Sequence, residues 1–285
     1  MTALLQVSDP HFGTERPAVV EALVCLAQAQ KPDVVVLSGD ITQRATIRQF
    51  AAARAFCDRL GAGALLAIPG NHDIPLFDLR RRLLDPYRRH RAAFGVELEP
   101  EWESPQMRIV TVNTTRPWRH KNGEVSARQI DRVAVRVATA APDQLRIVVV
   151  HQPLAVYREE DRHDLLRGHA NAARRWAAAG ADLVLGGHIH LPYILGLHER
   201  DPTLSRPLWV VQAGTAVSSR VRHEAGNSVN IVRRLPGDPP GTCCVERWDW
   251  RAASGAFELA EAAELAGGQR PARARAIFGT SGGPP

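Results

Sequence analysis

Gly187-His188-Ile189-His190 follows directly on Ala181-Asp182-Leu183-Val184-Leu185-Gly186, an apolar run bounded by glycines. Such a run reads as a short buried strand, so both imidazoles fall just past its carboxyl end, where open α/β sheets hold their ligands. Period-two geometry aims the two rings to one side. Taken alone, the pair is as consistent with a polar turn as with a metal site. Four earlier strand ends change that balance: Asp9 and His11 follow residues 4–7, Asp40 follows 33–37, Asn71 and His72 follow 64–68, and His151 follows 145–150. Asp9, His11, Asp40, Asn71, His151, His188 and His190 make a mixed oxygen and nitrogen donor set large enough for two divalent ions. Cations about 3.5–4 Å apart repel unless an anion lies between them, and Asp40 is the natural bridge. No cysteine joins the set, which points away from structural zinc and toward Mn, Fe, Co or catalytic Zn.

The elements that must place these residues are legible in the hydrophobic pattern. Pro17 suits a first helical position and opens an amphipathic helix to about Gln30, stopped by Lys31-Pro32. Residues 33–37 are a continuous β-branched run of the doubly buried kind. Thr42 can cap a helix ending at Gly61, and 64–68 is a third strand. This β-α-β-α-β order implies parallel strands joined by right-handed crossovers. Residues 80–94 read as an Arg-rich helical region broken at Pro86, 97–103 as an irregular acidic piece, and 108–112 as a strand. Ser126 caps a helix to about Ala140. Residues 157–167 are so charged that they read as a loop or lid. A helix over 170–179 leads into the His188 strand. Beyond it, 192–197, 208–212, 228–233 and 243–250 read as meandering strands. Residues 1–262 form the domain, and 263–285, rich in Gly, Ala, Pro and Ser, read as a disordered tail.

With 285 residues, 45% of them hydrophobic, the chain can bury a full core in one large α/β domain. No secretory signal and no apolar run of about 18 residues is present, so the protein reads as cytoplasmic, with no membrane partner. Cys25, Cys57, Cys243 and Cys244 lack any zinc-ligand spacing and read as reduced packing residues. The net charge of +6 could suit a nucleic acid, but the arginines are scattered and Lys31 and Lys121 are the only lysines. A solvated surface is the simpler reading, and a nucleic-acid partner is not expected.

The ordered set Asp9-Pro10-His11, Gly39-Asp40, Gly70-Asn71-His72-Asp73, His151 and Gly187-His188-Ile189-His190 resembles the calcineurin-like metallophosphoesterase superfamily. The resemblance implies a four-layer αββα sandwich of two mixed sheets with a dimetal site at the strand carboxyl ends. It implies that Asp9, His11, Asp40 and His190 bind one metal and that Asp40, Asn71, His151 and His188 bind the other. A hydroxide between the metals would attack phosphorus in line, and His72, oriented by Asp73, would protonate the leaving alkoxide. Asn71 and His72 would also touch the substrate phosphoryl group. Asp73 has an alternative as a plain cap for the segment that begins at Ile74.

His72 separates the chain from the lipid A pyrophosphatase group, which carries Arg there, and leaves a likeness to bacterial class III phosphodiesterases of cyclic nucleotides and glycerophosphodiesters. Gln152 stands where many of those carry a second histidine. The expected function is therefore hydrolysis of a small phosphodiester, with a monoester as the lesser choice. The alternatives are a non-catalytic metal-binding scaffold on the same fold, or a nuclease. Arg44, Arg80, Arg81 and Arg116 lie near the motif loops, but helix-surface charge is the simpler reading for them, and His90 and His120 fit no motif position.

Overall fold

A computed structural model describes residues 1–222 and 225–266. The chain starts in strand β1 (Thr2–Val7), then alternates helix α1 (Pro17–Gln30), β2 (Val34–Ser38), α2 (Ile47–Arg59) and β3 (Ala64–Ile68). Two short helices follow, α3 (Leu79–Leu84) and α4 (Arg88–Phe94), on either side of Pro86. Strands β4 (Glu101–Glu103) and β5 (Met107–Thr111), helix α5 (Ala127–Ala138), β6 (Leu145–Val149), α6 (His169–Ala179) and β7 (Leu183–Gly186) come next. Five strands close the described chain: β8 (Tyr193–Gly196), β9 (Trp209–Gln212), β10 (Ser228–Arg234), β11 (Cys243–Arg251) and β12 (Ala256–Leu265).

These strands form two six-stranded mixed sheets, ordered β12-β11-β10-β1-β2-β3 and β4-β5-β6-β7-β9-β8. The β-branched runs are buried on both faces because alternate residues serve different cores. Leu4, Val34 and Val36 point inward to meet Ile147, Val149 and Leu185 of the other sheet. Leu5, Val35 and Leu37 point outward onto α1 and α2. On the far side, Val110, Val148 and Val184 meet α5 and α6. Two sheets back to back with helices outside are the expected four layers. Strands β1, β2 and β3 pair in parallel, as do β5, β6, β7 and β9, so their carboxyl ends lie together at one edge.

The structure corrects several local expectations. Thr46, not Thr42, caps α2, through a reciprocal box with Gln49, because Thr42 is committed to the Asp73 carboxylate. The acidic piece after residue 97 contributes the edge strand β4, whose Glu101 and Glu103 pair with Arg108 of β5. Strand β12 was not expected, because its alanines and glutamates carry little β signal, yet it runs to Leu265, past the boundary drawn at 262. Ala263 and Leu265 sit in the core between the sheets. The remainder of that tail, 267–285, lies outside the described residues. Cys57 and Cys243 are buried, whereas Cys25 is exposed. No helix among the described residues is long and apolar enough to cross a membrane.

Candidate active site

Every residue expected to bind metal lies at this shared edge. The backbone there leaves the strand abruptly: Asp9, His11, Asp40, His188 and His190 all have left-handed φ angles of 51°, 42°, 48°, 76° and 55°. For residues with a Cβ such angles cost about 1–3 kcal/mol each, and they persist only where the surroundings fix them. The tight turns also need glycine beside them. A Cβ on Gly70 would lie 2.0 Å from the Asp40 amide nitrogen, and one on Gly187 would lie 2.0 Å from Ser8 Oγ. His188 and His190 therefore do not continue the strand with their rings to one side. Their left-handed turns send His188 toward Asp40 and His151, and His190 toward Asp9 and His11.

Two clusters of donor atoms result. In the first, His190 Nε2 lies 3.3 Å from Asp9 Oδ1 and 3.1 Å from His11 Nε2. In the second, His151 Nε2 lies 3.3 Å from Asp40 Oδ1, with His188 in the same group. Asp40 joins them, because its other oxygen, Oδ2, lies 3.7 Å from His11 Nε2. Asn71 is adjacent in the same cleft.

Hydrogen bonds fix which atoms face inward. Ser8 Oγ and the His188 amide donate to Asp9 Oδ2, leaving Oδ1 buried without a partner. His151 Nδ1 donates to the Ser38 carbonyl at 2.8 Å and His190 Nδ1 to the Arg220 carbonyl at 2.5 Å. In the neutral rings the Nε2 lone pairs then face carboxylate oxygens and each other. That arrangement is repulsive unless a proton or a cation lies between. Asn71 Oδ1, His151 Nε2 and both His188 ring nitrogens are likewise buried without hydrogen-bond partners. Buried donors and acceptors left bare are rare unless something is to be bound. The oxygen and imidazole set, the unpartnered atoms and the ~3.1–3.7 Å spacings suit divalent ions bonded at about 2.1 Å.

The electrostatics agree. Burial pushes the Asp40 carboxyl up, but His151 outweighs it and holds it well below the usual carboxylate range. Burial likewise opposes the charge on His151, yet Asp40 raises its pKa to about 9. Asp9 sits at about 2, because His190 overcomes its burial. His11 falls to about 3 through burial, only partly opposed by Asp40 and Asp9.

His72 reaches the same cleft. Its amide donates to Asp40 Oδ1 at 2.8 Å and its Nδ1 lies 3.0 Å from the Gln43 carbonyl oxygen. That carbonyl can only accept, so Nδ1 carries the hydrogen and Nε2 is left for other partners. Asp73 does something other than the expected orientation of His72. Its buried carboxylate accepts from the Ile41, Thr42 and Gly70 amides and from Thr42 Oγ1, which stitches the Asp40 loop to the Asn71 loop. Burial, reinforced by Asp40, pushes its pKa up to about 6.

The cleft, of about 410 Å³, also draws in His120, Lys121, Asp164, Arg220 and Arg222, none of which the sequence marked. They come from loops without a recognisable spacing, and Asp164 lay hidden in the charged run that read as a lid. That run is the 3-10 turn Glu159–Asp164, with Asp161 and Asp164 buried. Arg44, Arg80, Arg81 and Arg116 do not line the cleft. Arg44 lies over the Phe77 ring and Arg116 donates to backbone carbonyls.

Two buried carboxylates, converging imidazoles and a bridging Asp40 at the edge of an αββα sandwich define a metallophosphoesterase type of site. The model of the calcineurin-like phosphoesterase family matches residues 2–192, and the chain belongs to that family. It is 29% identical over 202 residues to a cAMP/cGMP dual specificity phosphodiesterase of Mycobacterium tuberculosis, across 66% of this chain and 61% of that protein. It is 24% identical, over 66% of this chain and 64% of the relative, to a probable cyclic nucleotide phosphodiesterase of Rhodococcus erythropolis. The chain thus spans less than two-thirds of the length of these relatives. A purple acid phosphatase from yellow lupin (Lupinus luteus) seeds shares the fold, with a TM-score of 0.65 at 12% identity, over 90% of this chain and 52% of that one.

Proposed function

We propose that the protein hydrolyses a small phosphodiester, a cyclic nucleotide or glycerophosphodiester, in the cytoplasm with two divalent ions of Mn, Fe, Zn or Co. The observation that carries this is Asp40, whose two oxygens face the imidazoles of separate clusters, Oδ1 toward His151 and Oδ2 toward His11. Asp9, His11, Asp40 and His190 hold one ion, and Asp40, Asn71, His151 and His188 the other. Bound there, the ions supply an activated water and neutralise charge on the phosphoryl oxygens.

The chain's own residues do the rest. The Ser38 and Arg220 carbonyls hold His151 and His190 by Nδ1, which leaves the Nε2 of each aimed inward. The Asp73 carboxylate locks the loops that carry Asp40 and His72. His72, with Nδ1–H on the Gln43 carbonyl, presents Nε2, which in the imidazolium form would carry the proton given to the leaving oxygen. Arg220 and Lys121 at the mouth favour an anionic substrate. A cyclic nucleotide is favoured because one relative is a cAMP/cGMP phosphodiesterase and the other a probable cyclic nucleotide phosphodiesterase.

The test is hydrolysis of bis-(p-nitrophenyl) phosphate against p-nitrophenyl phosphate by metal-stripped protein, with each metal added back. Metal-dependent preference for the diester is expected. His72→Ala should lose about 10²–10⁴-fold on a substrate with a poor alkoxide leaving group and much less on the nitrophenyl ester, which needs no proton. Silence with every metal overturns the reading in favour of a scaffold, and a monoester preference makes the protein a phosphatase.

A further inference from the structure

One buried acid in the cleft has no part in that chemistry. Asp164 ends the 3-10 turn between β6 and α6 and is 5% exposed. Lys121 Nζ lies 2.7 Å from its Oδ1, His163 Nε2 lies 3.2 Å from its Oδ2, and His188 Nε2 lies 3.4 Å from Oδ1. Asp164 belongs to no group of mutually close ligand atoms, so it sits beside the donor clusters and not in them. Its partner matters because of what His188 lacks. His151 and His190 each have a backbone carbonyl holding the ring nitrogen that faces away from the metals. Among the described residues His188 has no such carbonyl, and neither of its ring nitrogens has a hydrogen-bond partner. A metal-bound imidazole almost always donates its second N–H to a carboxylate, carbonyl or water, which fixes tautomer and orientation.

We infer that Asp164 is the positioning carboxylate of His188, taking the Nε2–H so that the bare Nδ1 faces Asp40 and His151. The inference rests on the two-metal reading and deepens it. Lys121 holds the same oxygen, Oδ1, and His163 faces the other, Oδ2, so a loop outside the family motifs determines how well one of the two metals is bound. The same turn supplies its own control. Asp161, three residues earlier, pairs with Arg222 at 3.1 Å and so anchors the turn from its other side.

The experiment is Mn²⁺ titration by calorimetry into metal-free full-length protein, with bound metal counted directly. Wild type is expected to take two equivalents. Asp164→Asn should keep one site unchanged and weaken the other about 10–100-fold, while Asp161→Asn leaves both intact. Two wild-type-like sites in Asp164→Asn overturn the inference. So does the same loss in Asp161→Asn, which would trace the effect to the turn's packing. A wild type that takes no Mn²⁺ overturns the two-metal reading instead. Nitrogen-15 NMR of the metal-free wild type decides the matter without any variant: a proton on His188 Nε2 supports the inference, and one on Nδ1 overturns it.

Discussion

The sheet edge and helix α4 both bury histidine ring nitrogens without hydrogen-bond partners, and they do so for opposite reasons. At the sheet edge, His11, His151, His188 and His190 stand among Asp9 and Asp40, and three of the four, His11, His188 and His190, sit on left-handed backbone. In α4, His90 is wholly buried, with both ring nitrogens bare, packed against Phe50 and Phe94. Burial drives its pKa down to about 3, reinforced by Arg91. The first environment keeps charge and has the donor set to take a cation, whereas the second expels charge and offers no carboxylate to one. A bare buried nitrogen therefore marks a ligand only when carboxylates converge on the same point.

The largest effect separating the two regions comes from Asp40, which both clusters share. Asp40→Ala removes the bridging charge and should lower kcat/KM on bis-(p-nitrophenyl) phosphate by about 10³-fold or more, roughly 4 kcal/mol. Thorough chelation of the wild type should do the same, and His90→Leu should leave turnover unchanged. Activity that survives both Asp40→Ala and chelation would break the comparison.

Next in size is the pH dependence of metal binding. Asp40 holds His151 protonated up to about pH 9 against its burial. Because its pKa lies above that of the unfolded chain, the His151–Asp40 pair stabilises metal-free protein fully below about pH 6.5, and that contribution is lost as pH rises through 9. An incoming Mn²⁺ must displace the proton. Its affinity should climb about tenfold per pH unit from 6 to 8 and level off above 9. Competition against a calibrated chelator at each pH measures this, and a flat profile would show that the rings are already neutral.

How far these regions were legible in the sequence follows the same division. The candidate ligands were readable because each sits one to four residues past an apolar run, so the strand pattern located it without help from tertiary contacts. What the run could not foretell is direction: the left-handed turns at His188 and His190 split the pair between two clusters. Asp73 was open to more than one reading because its partners, Ile41 and Thr42, lie about thirty residues away on another loop. Asp164, Arg220 and His120 were silent because packing alone brings their loops to the cleft. Strand β12 was missed for a related reason, since its pairing with β11 and the burial of Ala263 and Leu265 outweigh a weak propensity.

His90 gives the smallest and sharpest test. Its folded-state pKa of about 3 lies below the unfolded value near 6.5, so the native fold refuses a proton that the unfolded chain accepts. Stability is then unaffected above pH 6.5 and drains away as pH falls toward 3. His90→Leu is close in volume and removes two bare polar atoms, so at pH 7 it should stabilise the protein by about 1–2 kcal/mol. Because leucine does not titrate, the gap between variant and wild type should widen by about 2 kcal/mol between pH 7 and pH 5. Urea unfolding of metal-free protein at both pH values reads the difference. A gap that stays constant would mean that His90 is not held neutral by its aromatic surroundings, and that burial without a carboxylate does not set it apart from the histidines of the metal edge.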